Sequence, residues 1–133
     1  MKSFFFVISL GCLSAQARIG EINSITSSLI VKSAVSYDNN LFLATSGGLG
    51  KYNIASKKYY VFTKDEGLVE TDIDVIHIGP NGLIWLGGKK SVQIWDSYQE
   101  RIVDYFELDI EEVSGFTNYK NTVYGSVKNN EKW

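Results

Sequence analysis

Apolar strand-like segments and polar turns follow one another along this chain in an order that repeats. The stretch Leu41–Asn53, LFLATSGGLGKYN, returns 43 residues later as Ile84–Asp96, IWLGGKKSVQIWD. In that register Phe42 falls on Trp85, Leu43 on Leu86, Ala44 on Gly87, Leu49 on Val92, Tyr52 on Trp95 and Asn53 on Asp96. Each copy reads as a short apolar strand, a small-residue turn and a second strand ending in an aromatic followed by Asn or Asp. Strands apolar on both faces must be covered on both sides, and a small residue at 44 and 87 suits close approach of a neighbour. Each copy is therefore a layer that needs further copies to stack against, which is the logic of a repeat protein.

The pattern predicts strands from Ile19 to Tyr37, a turn at Asp38-Asn39-Asn40, and a strong strand from Leu41 to Thr45. Ser46-Gly47-Gly48 supplies a tight hairpin; Leu49–Asn53 returns, Ala55–Lys58 turns, and Tyr59–Phe62 is a third strand. Lys64–Ile73 is a polar connection to the next unit. There, Val75–Ile78, a Gly79-Pro80-Asn81-Gly82 turn, Ile84–Leu86, a Gly87–Lys90 turn, Val92–Trp95 and Ile102–Phe106 repeat the plan. A third unit begins at Phe116, with Thr122–Ser126 in the place of the apolar strand. Four short strands per roughly 40 residues is the period of a β-propeller blade. The expected fold is all-β: about two and a half four-stranded blades over residues 18–133. A closed ring needs about four to eight blades, so the chain is expected to be the N-terminal part of a longer protein, with further blades beyond Trp133.

Residues 1–17 stand outside this pattern. Lys2, the apolar run Phe4–Leu13 and Ala15-Gln16-Ala17 have the layout of a cleaved secretory signal, with the run too short to span a bilayer. Cys12 invites a lipoprotein reading, but the aliphatic position three before it is Ser9. Cleavage after Ala17 would remove this only cysteine, leaving an exported chain without a disulfide and stabilised by core burial. The net charge is −2. A mildly acidic chain argues against nucleic acid or anionic lipid as the main partner. The sequence beyond the leader has no apolar stretch of transmembrane length and, with one proline and no charge block, no evident linker.

Three segments together resemble the two-component regulator propeller repeat: Leu41–Asn53; Glu66-Gly67-Leu68 with Asp72-Ile73; and Asn81-Gly82-Leu83-Ile84-Trp85-Leu86-Gly87. The likeness covers about residues 34 to 106 and departs from the pattern at Lys89-Lys90-Ser91-Val92, where Gly-Gly-Leu is expected. The start of the chain, with its leader and Gly20-Glu21-Ile22, is most similar to the PorZ-type propellers of type IX secretion. That resemblance implies an exported protein of the periplasm or cell surface of a Gram-negative bacterium, binding an envelope protein or glycan. The other role found in the family is the extracytoplasmic ligand-sensing half of a hybrid histidine kinase.

Little in the sequence points to chemistry. His77, the only histidine, could join Asp72 and Asp74 around a metal, but strand alternation puts His77 on the opposite face, and a polar turn beside a half-buried histidine is expected instead. Gly47-Gly48 and Gly87-Gly88 lie between strands with no helix to follow, so they read as hairpin turns rather than phosphate cradles. Tyr59, Tyr60, Phe62, Trp85, Trp95, Tyr105 and Phe106 could form a sugar-binding platform, but their repeat-matched spacing predicts inter-blade core. No catalytic, cofactor-binding or metal-binding residue is assigned and no cofactor is expected. A non-enzymatic binding or scaffold module is the expectation.

Overall fold

The computed structural model describes residues 30–109 and 112–128; the leader, the lead-in to residue 29 and the residues after 128 lie outside them. Among the described residues ten strands form two four-stranded antiparallel meanders and one hairpin. The first blade holds β1 (Val31–Tyr37), β2 (Asn40–Thr45), β3 (Gly48–Asn53) and β4 (Tyr59–Phe62). The second holds β5 (Ile73–Ile78), β6 (Leu83–Gly88), β7 (Ser91–Asp96) and β8 (Arg101–Glu107). β9 (Glu112–Tyr119) and β10 (Thr122–Lys128) pair as the first hairpin of a third. β1 packs on β5 and β5 on β9, so the first strand of each blade is the innermost. This is the arrangement of successive propeller blades.

Register explains why the sequence repeats as it does. Phe42 stands between Val35 and Lys51, and Trp85 between His77 and Ile94. Each side chain points toward the following blade, on what we call the front face. Tyr52 and Trp95 point toward the preceding blade, on the rear face. The core between blades one and two joins the front residues Phe42, Ala44, Leu49 and Phe62 to the rear residues Ile76, Ile84, Leu86 and Trp95, with Leu68 and Ile73 closing one end. Phe42, Leu49, Ile84, Leu86 and Trp95 are fully buried. Removing one such aliphatic or Phe side chain from water stabilises the fold by about 1.5–3 kcal/mol.

The first strand of every blade carries one extra residue at the same place. The register shifts between Val31 and Ser33, between Ile73 and Val75, and between Val113 and Gly115. Lys32, Asp74 and Ser114 are thus equivalent bulge residues, a feature the apolar pattern does not encode. A bulge re-aims its side chain and increases the local twist.

Turn chemistry follows from φ. Asp38 and Asn39 both take positive φ, 45° and 60°, as a two-residue primed turn requires. Pro80 opens a short 3₁₀ turn and Asn81 and Gly82 follow at positive φ. Two turns differ from expectation. Gly48 begins β3, and Gly87-Gly88 end β6, so the hairpin turns are Ser46-Gly47 and Lys89-Lys90 alone. Gly48 is required in its strand: φ is +143° and a Cβ would lie 2.1 Å from the Phe62 carbonyl oxygen.

Candidate functional site

The inner strands bring together the densest charge cluster among the described residues. The Lys32 bulge directs its ammonium across the blade boundary, donating to Asp74 Oδ1 at 2.6 Å and to Asp72 Oδ1. The Lys89 ammonium approaches Asp72 Oδ2 at 3.3 Å. Burial pulls the Lys32 pKa down, but its bonds to Asp72 and Asp74 outweigh that and leave it above its ordinary value. The same bond from Lys32 holds the Asp72 carboxyl below the usual aspartate value. Asp74 Oδ2 is buried without a partner.

The two aspartates therefore share a partner, and it is a lysine. His77 turns away toward the third blade, where its Nε2 lies 2.9 Å from Asn118 Oδ1. Asn118 Nδ2 donates to the Ile78 carbonyl, which leaves Oδ1 as the acceptor and places the imidazole proton on Nε2. Among the described residues no three His, Cys, Asp or Glu side chains are placed to hold a metal ion.

On the upper rim, where β2–β3 and β6–β7 turn, the connection from β4 to β5 is fastened to blade two. Thr63 caps a 3₁₀ turn, Lys64–Glu66, and Glu66 returns the contact by accepting the Thr63 N–H and hydroxyl, a capping box. Those bonds lower the Glu66 pKa. Gly67 (φ 98°) then reverses the chain and Leu68 enters the core. Further on, the Glu70 carboxylate accepts from Lys89 N–H at 3.0 Å and Ser91 Oγ–H at 2.6 Å. The buried Gln93 amide binds the same segment twice, accepting from Val69 N–H and donating to the Glu70 carbonyl. Gly88 makes room for this latch, since a Cβ there would lie 2.4 Å from a Glu70 carboxylate oxygen. Beside it lies an open concavity of about 420 Å³, lined by Val69, Glu70, Lys90, Ser91, Glu107 and Leu108.

The aromatics divide. Trp95 and Phe62 meet in the core with ring centroids 4.6 Å apart. Tyr59 is half-buried and lies over Gly50, its pKa raised by burial. Trp85 is half-buried and meets Phe116 of the third blade edge-on. Tyr60, Tyr105 and Phe106 depart from the expected core role. They are 50 %, 49 % and 46 % exposed. Phe106 pairs with Val92 as the buried Phe62 pairs with Leu49, but the blade that faces it is described only as the hairpin β9–β10.

Sequence reasoning passed over Lys32, Glu70 and Gln93, each tied to a partner distant in the chain. It also passed over Tyr98 and Tyr119, whose place in polar turns was the available signal.

No family model matches the chain, and no curated protein matches it. The fold is similar to that of the crystal structure of RRP9 WD40 repeats, with a TM-score of 0.64 and 19 % identity over 74 % of this chain and 32 % of that one. The structure of U3-55K gives a TM-score of 0.64 and 18 % identity, covering 74 % of this chain and 33 % of that one. The chain spans about a third of the length of these structures. At such identity the likeness shows the fold alone: consecutive β-propeller blades.

Proposed function

We propose that this chain is a β-propeller binding module of the bacterial cell envelope. It is exported across the inner membrane, acts without catalysis, and serves as a protein-interaction scaffold in the manner of PorZ-type propellers. One observation carries the binding reading: the polar side chains at the blade boundaries are committed to holding blades together. Lys32, Asp72 and Asp74 hold one another, His77 holds Asn118, and Glu70 and Gln93 hold the connecting loop. What the rims leave for other molecules is a display of turns on a rigid scaffold, the usual place for recognition. The envelope assignment draws on Lys2, Phe4–Leu13 and Ala15-Gln16-Ala17, and on the propeller-repeat resemblance.

Fractionating cells that express the tagged protein, with N-terminal sequencing of the exported form, tests this reading. A mature protein in the periplasm or at the surface, beginning at Arg18, is expected. Cytoplasmic protein that retains residues 1–17 overturns the export assignment, and a lipidated form beginning at Cys12 replaces secretion with anchoring.

A further inference from the structure

The two rims of the blades differ. The turns β1–β2, β3–β4, β5–β6, β7–β8 and β9–β10 all lie on one edge of the meanders, the lower rim. Each of three successive blades projects a large apolar side chain at or beside its turn there: Ile54, 49 % exposed; Tyr98, 82 %; and Tyr119, 62 %. None belongs to the core, and all three sit on the same side of the molecule.

Hydrogen bonds fix these tips in advance. Asp96 Oδ1 accepts the N–H groups of Tyr98 and Gln99 at 2.8 and 3.0 Å. Asn53 Oδ1 takes both the N–H and the hydroxyl of Ser56, and Ile54 N–H donates to the Asn39 carbonyl. The Lys120 ammonium lies 5.5 Å from the centre of the Tyr119 ring. Tips held before binding lose little entropy on association, and exposed tyrosines are the side chains that most often anchor protein contacts.

Charge selects the partner. The lower rim carries Lys57, Lys58 and Lys120, none paired with a carboxylate among the described residues, and the nearby Lys51–Glu100 pair cancels itself. Against these stand Asp38 and Asp96. The upper rim has the opposite balance, with Asp65, Glu66, Glu70, Asp72 and Glu107 exceeding its lysines. An acidic chain thus has one rim on which cations prevail, interleaved with apolar tips.

We propose that the lower rim, through Tyr98 and Tyr119 with Lys57, Lys58 and Lys120, docks an acidic polypeptide segment that also carries apolar side chains. This deepens the binding-module reading and rests on it. Tyrosines and lysines at several turn tips fit a linear segment crossing from blade to blade, its carboxylates on the lysines and its apolar residues on the rings.

Fluorescence anisotropy of the full chain with a labelled peptide of glutamates interspersed with leucines tests it. Saturable binding that weakens as salt is raised and falls at least about tenfold in Tyr98→Ala/Tyr119→Ala is expected. Tyr60→Ala, exposed on a blade flank, leaves it unchanged, and circular dichroism of the variants shows the fold retained. Equal binding of a lysine–leucine peptide overturns the proposal. So does peptide binding that survives the double substitution, or tighter binding of polygalacturonate, which would assign the rim to anionic glycans. These outcomes leave the export test untouched, so the two readings fail separately.

Discussion

Lys32 and Asp74 occupy the same bulge position in successive blades, yet their side chains meet at 2.6 Å across the boundary between them. Opposite charges at equivalent positions link one blade to the next at its inner edge. Lys32→Met leaves Asp74, whose side chain is 13 % exposed, without its cation. A fully buried pair broken on one side costs about 3–5 kcal/mol; with Lys32 26 % exposed, about 1–3 kcal/mol is expected here. Urea denaturation of Lys32→Met, Asp74→Asn and the double variant measures it, and the double variant should lose less than the sum of the singles.

The same cluster gives the stability a dependence on pH. Asp72 has its pKa lowered in the fold by the bond from Lys32. Its contribution is therefore complete above the ordinary aspartate value of 3.8 and disappears as pH falls through the lower folded value. Lys32, raised in the fold, contributes at all pH below its ordinary 10.5 and loses its share only above that. Melting temperatures across the acid limb should fall less steeply in Lys32→Met than in the unaltered protein.

The aromatic position shared by Phe42, Trp85 and Tyr124 predicts graded costs. Phe42 is fully buried beneath blade two, Trp85 is half-buried beneath the third-blade hairpin, and Tyr124 is 52 % exposed. Truncating Phe42 to Ala should cost about 3–5 kcal/mol and Trp85→Ala less. Chemical denaturation of the two variants checks the order. Trp95→Ala, on the rear face against Phe62, belongs with the first.

Gly48→Ala is expected to be among the most damaging single-carbon changes. The new methyl would stand 2.1 Å from a backbone oxygen, which cannot move aside as a side-chain tip can, at a φ of +143°. A loss of about 2–4 kcal/mol is expected. Gly67→Ala, also at positive φ but facing open space, is the control: it carries backbone strain alone and should lose about 1–2 kcal/mol.

Thr63→Ala removes the hydroxyl that Glu66 accepts. NMR titration should find the Glu66 carboxyl below 4.5 in the unaltered protein and displaced upward in the variant. An unchanged value would mean that the capping box does not persist in solution.

The strands were legible because their apolar residues recur with a fixed offset, and Phe42 with Trp85 was enough to align two blades. What escaped was whatever depends on contacts between units. The bulges at Lys32 and Asp74 leave no trace in hydropathy, because one extra polar residue at a strand's start resembles a turn. Gly87 and Gly88 looked like a turn for the converse reason. They are strand residues kept small by Val113 of the third blade and by Glu70 of the connecting loop. Tyr60 and Tyr105 have core composition at an outer radius, and radius is not written in a one-dimensional pattern. For the lower rim, the sequence offered only tyrosines in polar turns.

The bulges also set the order of blades one and two. Two first blades in tandem would set a lysine against Lys32, and two second blades would set an aspartate against Asp74, each a repulsion where the native order has an attraction. Built on one repeated plan, the array nonetheless carries an address at the joint between blades one and two, which tells a folding chain which of them comes next and discourages neighbouring molecules from exchanging them out of sequence.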